Sequence, residues 1–416
     1  MDYSEPLPDA APARSGLRAL HALRSRDFRL LWIGQTLSLI GNGAFVVALG
    51  WKTVQLTGSS SSLAVVLMAN AIAMLATLLV GGALADRYPR RTLMILSDLA
   101  RFALVGTLVV CDATGTLSFG LLIAFAAAVG LADGFFHPAF GGIVPLVVEQ
   151  PLLASANTLI GLSRQVGFVV GPALAGVVYG LAGSAPVFAI DAATYVVAAA
   201  FLWLARPRRV HTEAGEGTVR EIAAGLRYVG SEPWLWISIA VAAFAVMVTM
   251  APFQSLLPEL VQEEFGRGVG SYGTLFTLQS LGMAAGTLLF GQLNPRRHRI
   301  VLMYALFALN DLCVVVLALG GQYETAAAMV LARGACIGFG IGIWNTLLME
   351  LVPEGKLSRV VSVDFFGSFG LLPVGFALSA LAAGSASAAA LIAGGAALAF
   401  VVWTVPLAWS RVRTAA

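Results

Sequence analysis

Twelve long apolar stretches, separated by short polar or Gly- and Pro-rich breaks, constrain this chain more than any other feature. A helix needs about 20 mainly apolar residues to cross the hydrocarbon core of a bilayer. Because the apolar residues run continuously and do not alternate over about ten residues, helices are predicted and not barrel strands. The sequence therefore predicts an all-α integral membrane protein with 12 transmembrane helices, near 28–54, 60–84, 92–112, 117–140, 157–182, 185–205, 234–258, 268–292, 299–319, 324–348, 359–383 and 387–409.

Composition and charge agree with a membrane protein and predict its orientation. Apolar residues make up 58% of the 416 positions and charged residues only 11%, which excludes an ordinary water-soluble domain. Basic residues crowd alternate loops, so both termini and these loops are expected on the cytoplasmic side: Arg14 to Arg29, Arg87 to Arg91, Arg206 to Arg227, Arg296 to Arg299, and Arg411 with Arg413. The net charge of +3 then reflects topology, and no nucleic-acid partner is predicted.

Metal sites and enzyme chemistry are not predicted. Cys111, Cys313 and Cys336 all lie within apolar stretches and have no metal-ligand spacing, so they are expected to be small packing residues. The four histidines are scattered and form no nucleophile–base or metal constellation. We therefore expect neither a disulfide, nor a cofactor, nor an enzyme.

The second half of the chain repeats the first at an offset of 208 residues. The repeat is carried by seven pairs: Gly130/Gly338, Gly134/Gly342, Val144/Val352, Pro145/Pro353, Gly167/Gly375, Phe168/Phe376 and Gly176/Gly384. A tandem duplication predicts two six-helix halves, 28–205 and 234–410. The remaining segments are a tail at 1–27, a cytoplasmic connector at 206–233 with a short surface helix from Val219 to Tyr228, and a second tail at 411–416.

The connector after the second stretch carries a charged motif. Gly82, Asp86, Arg87, Arg90 and Arg91 have the spacing of the signature loop of major facilitator superfamily transporters, which this loop resembles. The resemblance implies that Gly82 allows close helix approach, that Asp86 gates against the start of helix 11 near Ser358, and that the basic residues anchor the cytoplasmic face. Pro89 stands where the family usually has a second glycine. The alternative is a basic loop with an incidental acid.

A second motif lies in the fifth stretch, from Gly167 to Gly176. With Gly167, Gly171, Pro172 and Gly176 it resembles the helix-5 motif of the superfamily's exporters, although Ala175 replaces an expected glycine. Physically, the glycines permit close helix approach and Pro172 removes one backbone hydrogen bond. Ordinary small-residue packing is the alternative.

Further segments are similar to a bacterial branch of this superfamily that exports macrolides and enterobactin. They are Phe28 to Gln35, Asp98 to Arg101, Pro138, and Ala156-Asn157. The resemblance implies a monomeric drug:proton antiporter of the bacterial inner membrane that works by alternating access without a cofactor. Asn42 is a departure, since this branch commonly has an aspartate after Gly41; if that acid carries a proton, its role is vacant or has moved.

Charges inside the stretches are the best site candidates, because each costs about 2.5–3.5 kcal/mol on insertion scales. Asp98 and Arg101 lie three apart and face the same way, as an ion pair or a proton relay. Asp133 is the candidate proton carrier, although Arg101 or Arg164 would hold it ionised. Arg164 and Arg333 either attract an anionic or carbonyl-bearing substrate or neutralise Asp133 and an unlocated acid.

The remaining intramembrane and loop charges are given structural or gating roles. Asp191 and Asp311 are expected to make polar helix contacts. Glu350, Arg359 and Asp364 flank the turn between helices 10 and 11 and are assigned to the cytoplasmic gate.

Aromatic side chains suggest apolar cavity walls and a hydrophobic or amphipathic substrate: Phe45, Trp51, Phe135, Phe136, Phe244, Phe253, Phe276, Trp344, Phe365 and Phe366. The sequence has no Gly-x4-Gly-Lys-Ser/Thr loop, so a gradient, most simply of protons, is expected to drive transport. The predicted function is export of a drug, antibiotic or other natural product. A siderophore or lysophospholipid transporter and a nutrient importer are the alternatives.

Overall fold

Twelve helical spans form the described part of the chain. The structure is a computed structural model that describes residues 20–208, 218–293 and 295–408. Numbered in chain order, spans 1 to 6 are Arg26–Thr57, Ser60–Arg87, Arg90–Ala113, Phe119–Val147, Leu153–Ala182 and Ser184–Leu204. Spans 8, 9, 10 and 12 are Val269–Leu293, Arg299–Leu319, Tyr323–Leu351 and Ala388–Thr404. All twelve are long and apolar enough to cross a membrane, which confirms the predicted fold class.

Spans 7 and 11 are interrupted where the sequence predicts single helices. Span 7 consists of Pro233–Ala245 and Ala251–Glu263, with a π-helical turn over Val246–Met250. Span 11 consists of Glu354–Phe369 and Leu372–Ala382. Pro373 lies in the first turn of the second segment, where its missing N–H breaks no helical hydrogen bond. Apolar content locates a span but does not reveal such local changes in helical hydrogen bonding.

Span 4 continues beyond its predicted end. It reaches Val147 instead of residue 140 and contains Pro138 and Pro145. Gly-Gly and proline in this segment lowered the apolar signal, but the helix persists because its last turn packs in the first half's core through Ile143, Val144 and Val147. Tertiary packing here overrides local helix-breaking tendency.

The two halves use the same helix pairs. Span 2 packs on span 4, span 1 on spans 5 and 6, and span 3 on spans 4 and 6. In the second half, span 8 packs on span 10, span 7 on spans 11 and 12, and span 9 on spans 10 and 12. The repeat also reappears in detail: a Cβ at Gly167 would lie 2.8 Å from the carbonyl oxygen of Leu39, and one at Gly375 would lie 2.4 Å from that of Met247. Both residues of this contact recur at the same offset of 208 found in the sequence.

The halves meet at one end of the bundle. We call the end where span 1 begins the terminal end and the opposite one the far end. Span 2 packs on the second segment of span 11 and the second segment of span 7, and span 5 packs on span 8. Leu67 and Ala71 contact Ala251 and Phe376, and Gly176 lies against Gly270. All of these residues lie in the half of the bundle towards the far end, so the halves are closed there.

A connector helix, Thr218–Ser231, follows the first half and includes the segment from Val219 to Tyr228 that was predicted to be helical. It packs on the first segment of span 11, where Gly225 lies against Arg359 and Val363. The Lys356 ammonium lies 4.5 Å from the centre of the Tyr228 ring. The connector helix is thus attached to the second half at the terminal end.

Close packing of spans 1 and 5 predicts a matched pair of substitutions. A Cβ at Gly171 would lie 2.6 Å from the Ile40 oxygen and 2.7 Å from the Gly43 Cα, whereas one at Gly161 of the same helix meets open space. Overpacking costs about 1–3 kcal/mol, while Gly→Ala in a helix otherwise gains about 0.5–1 kcal/mol. We expect Gly171→Ala to lower the thermal unfolding midpoint in detergent and Gly161→Ala to keep or raise it. Equal shifts in the two variants would contradict this packing.

Candidate functional site

A buried guanidinium organises the centre of the first half. Arg101 of span 3 is 2% exposed, and its Nη2 lies 2.7 Å from Oδ1 of Asp98, which is fully buried. Its Nη1 lies 3.2 Å from Oδ1 of Asp133 on span 4. The spacing of three on one helix brings Asp98 and Arg101 together, as the sequence indicates. Arg101 therefore holds two carboxylates from two spans.

Aromatic rings complete the surroundings of Arg101. The guanidinium carbon lies 4.2 Å from the centre of the Phe136 ring and 4.7 Å from that of Tyr195 on span 6. Such cation–π contacts stabilise a cation removed from water. The Tyr195 hydroxyl in turn donates a hydrogen bond to Oδ1 of Asn42 on span 1. Four spans thus converge on one cation, and we call Asn42, Asp98, Arg101, Asp133, Asp191 and Tyr195 the first-half cluster.

Asp191 is the member of this cluster whose importance the sequence did not reveal. It is fully buried on span 6, and neither of its carboxylate oxygens makes a hydrogen bond of good geometry, although the Tyr195 hydroxyl lies close enough to act on the carboxylate. Its Oδ1 would lie 2.7 Å from a Cβ at Gly41, which places the carboxylate against the backbone of span 1. Asp191 thus lies against span 1, as a polar helix contact requires, but without a well-formed hydrogen bond.

The open edge of the cluster lies on spans 4 and 5. Asp133 keeps 22% of its side chain exposed, and His137 and Arg164 are exposed. Arg101, Asp133 and Arg164 all act electrostatically on the His137 imidazole. Among the described ion pairs, the one that Asp133 makes is with Arg101 and not with Arg164. Asp133 as proton carrier and Arg164 as substrate ligand stay predictions.

The second half has its own buried cation, with a simpler arrangement. Arg333 of span 10 donates from Nε to Oδ1 of Asn310 over 3.2 Å, and Asn310 donates to Oδ1 of Asp311 over 2.9 Å. The guanidinium carbon lies 4.0 Å from the centre of the Phe253 ring on span 7. Arg333 thus faces one acid, Asp311, which is the acid that the sequence left unlocated.

The signature loop anchors the terminal end of the first half. Arg90 donates to the carbonyl oxygen of Gly142 on span 4, and Arg91 donates to those of Leu202, at 2.8 Å, and Trp203. Leu202 and Trp203 are in the last turn of span 6, where carbonyl groups lack helical partners and attract cations. Arg90 and Arg91 thus join the signature loop to spans 4 and 6, Arg87 is exposed, and a role of the three in anchoring the cytoplasmic face stays a prediction.

Two other predictions for the signature loop concern Gly82 and Asp86. Close helix approach was predicted at Gly82, but a Cβ there meets open space, whereas a Cβ at Gly81 would collide with the carbonyl oxygen of Gly134 on span 4. That prediction is wrong for this conformation, because one residue turns a helix by about 100°. The gating contact of Asp86 with Ser358 lies outside the described side chains and stays a prediction.

The span-5 motif contacts both halves. Gly167 and Gly171 lie on span 1, while Gly176 lies against Gly270 and the Pro172 carbonyl oxygen against Gly273 of span 8. Beside them, Gln165 donates to the Ser280 carbonyl oxygen and Thr277 donates to that of Val169 over 3.2 Å. The motif therefore joins packing within a half to the contact between halves.

Two of the three predicted gate residues, Glu350 and Asp364, contact different partners. Glu350 pairs with Arg299 over 2.6 Å, whereas Asp364 accepts a 2.9 Å hydrogen bond from Trp344 Nε1. Arg359 lies beside the connector helix at Gly225. The contacts of Glu350 and Asp364 are within the second half, that of Arg359 is with the connector helix, and a gating role stays a prediction.

Several predicted cavity aromatics are instead core residues. Trp51, Phe136 and Phe253 are 8%, 6% and 3% exposed, and the last two cover the buried arginines. Phe365 and Phe366 of span 11 are 48% and 43% exposed. In the part of the chain that the structure describes, no group of three His, Cys, Asp or Glu side chains converges to hold a metal ion.

Comparison with known proteins agrees with this architecture. Residues 31–374 match the Major Facilitator Superfamily, and the chain belongs to that family. It is 25% identical to macrolide efflux protein A of Streptococcus pyogenes over 365 residues, which covers 85% of this chain and 88% of that protein. It is also 25% identical to the enterobactin exporter EntS of Salmonella typhimurium over 379 residues, with 88% and 89% covered.

Solved structures show the same fold. A bacterial homologue of the human lysosomal transporter Spinster superposes with a TM-score of 0.69 and 16% identity, covering 93% of this chain and 98% of that one. The identification of the chain as a superfamily transporter with efflux relatives confirms the resemblance drawn from its motifs.

The pairing of Asp98 with Arg101 predicts a stability difference between single and double substitutions. Arg101→Gln leaves Asp98 buried without a counter-ion, and breaking a buried pair costs about 3–5 kcal/mol. Adding Asp98→Asn removes that uncompensated charge, so we expect the double variant to unfold at a higher temperature than Arg101→Gln alone. The measurement is thermal unfolding in detergent; a double variant less stable than the single one would contradict the pairing.

Proposed function

We propose that this protein exports hydrophobic or amphipathic small molecules, such as drugs, antibiotics or other natural products, in exchange for protons. The observation that carries the proposal is the exporter-type segment Gly167 to Gly176, which lies where span 5 bridges span 1 and span 8. Two efflux proteins that match the chain over most of its length support the same direction of transport.

The mechanism is alternating access between two rigid halves. Each half is held internally by glycine contacts and by a buried arginine, whereas the halves meet mainly through spans 2, 5, 7, 8 and 11. If basic loops mark the cytoplasm, the terminal end is cytoplasmic and the far end periplasmic. The structure then corresponds to the state closed to the periplasm, from which a substrate enters on the cytoplasmic side.

The chemistry of the exposed side chains favours an amphipathic substrate. Phe365 and Phe366 are exposed in the first segment of span 11, and Met349 near the end of span 10 is 69% exposed. In contrast to these apolar side chains of the second half, the first half has charged or polar side chains at its open edge, those of Asp133, His137 and Arg164. We infer an amphipathic molecule that contacts apolar groups on one half and polar groups on the other.

Transport and proton movement are tested together in proteoliposomes with a pH-sensitive dye inside. The probes are erythromycin, enterobactin and a lysophospholipid, and uridine serves as a polar control. We expect proton movement that requires both the protein and an amphipathic compound. Compound uptake without proton movement would refute the proton coupling. A response to enterobactin or the lysophospholipid alone favours the alternative substrate classes, and accumulation driven in the import direction favours an importer.

A reversible cross-link tests whether the far end opens during transport. A Cβ at Gly176 would lie 3.3 Å from the Gly270 Cα, so cysteines at both positions come within disulfide range. With the three native cysteines replaced, we expect oxidation of Gly176→Cys/Gly270→Cys to stop erythromycin transport and reduction to restore it.

The controls are the two single-cysteine variants under the same oxidation. Cross-linking is measured through a protease site introduced into the connector. After cleavage, the two halves migrate together on a denaturing gel only when the disulfide joins them. Undiminished transport by fully cross-linked protein would contradict alternating access through this interface.

A further inference from the structure

Acidic groups outnumber basic ones in the first-half cluster. Three carboxylates, those of Asp98, Asp133 and Asp191, surround the single buried guanidinium of Arg101. Asp98 and Asp133 use its two terminal nitrogens, at 2.7 Å and 3.2 Å. The cluster of the second half has one acid, Asp311, for one Arg333. With all three acids ionised, the first-half cluster would hold an excess of buried negative charge, which a membrane interior disfavours strongly.

Asp191 is the acid left without a counter-ion contact. Arg101 acts on it from span 3, Asp133 from span 4, and Tyr195 from its own helix. On span 1, the Gly41 backbone lies against Asp191, and the neutral Asn42 accepts the Tyr195 hydrogen bond. Asp133 differs because it is partly exposed and lies near His137 and Arg164. A fully buried carboxylate without a hydrogen bond is more stable when it is protonated.

The hydrogen bond of Tyr195 agrees with a protonated Asp191. Tyr195 faces both Asp191, one helical turn away, and Asn42. Its hydroxyl has one hydrogen, which it donates to the oxygen of Asn42 in this structure. A protonated Asp191 is able to donate to the same phenol oxygen. An ionised Asp191 can only accept, so it would compete with Asn42 for the Tyr195 hydrogen.

We propose that Asp191 is a proton-binding site of this transporter and is occupied by a proton in the present conformation. When the proton leaves, the Tyr195 hydroxyl turns from Asn42 on span 1 to the Asp191 carboxylate on span 6. Span 1 carries the carbonyl groups on which Gly167 and Gly171 of span 5 pack, and span 5 contacts span 8 of the other half. Proton occupancy is thereby connected to the contact between halves. The coupling step rests on the proposed function, whereas proton binding itself does not.

Infrared spectroscopy of the purified protein in detergent tests proton binding without any substrate. A protonated carboxyl has a carbonyl stretch that is distinct from that of a carboxylate and shifts in heavy water. We expect this signal in the wild type at neutral pH and its loss in Asp191→Asn. The matched controls, Asp133→Asn and Asp311→Asn, are expected to keep it. A signal that persists unchanged in Asp191→Asn, or that vanishes in Asp133→Asn alone, would overturn the assignment.

Two further variants keep the test decisive if Asp191→Asn does not fold. Asp191→Glu retains an acid, so the band should remain but at a changed frequency; an unchanged band would refute the site. Tyr195→Phe removes the acceptor of the proposed hydrogen bond, and the Asp191 band should move to higher frequency. No movement would remove Tyr195 from the mechanism and refute the switch.

Transport measurements then separate this proposal from the proposed function. In vesicles that transport erythromycin, Asp191→Asn should reduce proton movement to the level of protein-free vesicles while exchange of labelled erythromycin at equal pH continues. Full proton movement in this variant would refute the role of Asp191 in coupling. If the wild type transports none of the probes, the proposed function fails, and the infrared result still decides whether Asp191 binds a proton.

Discussion

The cost of a charge inside a bilayer is the constraint on which this structure depends. The charge of Arg101 is compensated by two carboxylates and covered by two aromatic rings, and these partners come from spans 3, 4 and 6. Tyr195 extends the connection to span 1 through Asn42. A single cation therefore fixes the mutual position of four helices that are otherwise apolar. Arg333 does the same for spans 7, 9 and 10 with fewer partners.

Within each half, glycine contacts supply the close packing that apolar side chains in lipid cannot enforce by a hydrophobic effect. Gly134 on span 4 and Gly286 on span 8 bring backbones together, as do Gly167 and Gly375 at equivalent places in the two halves. The interface between halves also uses glycine: a Cβ at Gly176 would lie 3.3 Å from the Gly270 Cα, and one at Gly273 would lie 2.6 Å from the Pro172 oxygen.

The spans were predictable because apolarity over about twenty residues is a local property. The proximity of Asp98 and Arg101 was predictable because a spacing of three determines a shared helix face. The place of Asp191 in the cluster was not predictable, since it depends on how span 6 packs on spans 1 and 3, and residues so far apart in sequence have no common periodic signal. Phe136 and Phe253 were misassigned for a related reason: a helix that is apolar on every side does not indicate which side faces a cavity. The close contact at Gly81 instead of Gly82 shows how one residue changes the face.

The two clusters differ in the number of acids for each buried arginine, and the proposed proton site therefore gives the two halves different roles. In the second half one acid faces one base, so that cluster has no excess of acids over bases. In the first half, any movement that weakens the contact of Arg101 with Asp133, the exposed acid at its edge, frees that guanidinium to compensate Asp191. On the proposed function, substrate binding near Asp133, His137 and Arg164 would weaken that contact and favour proton release from Asp191. Substrate and proton would then exclude each other, which is the thermodynamic requirement for exchanging the two across a membrane.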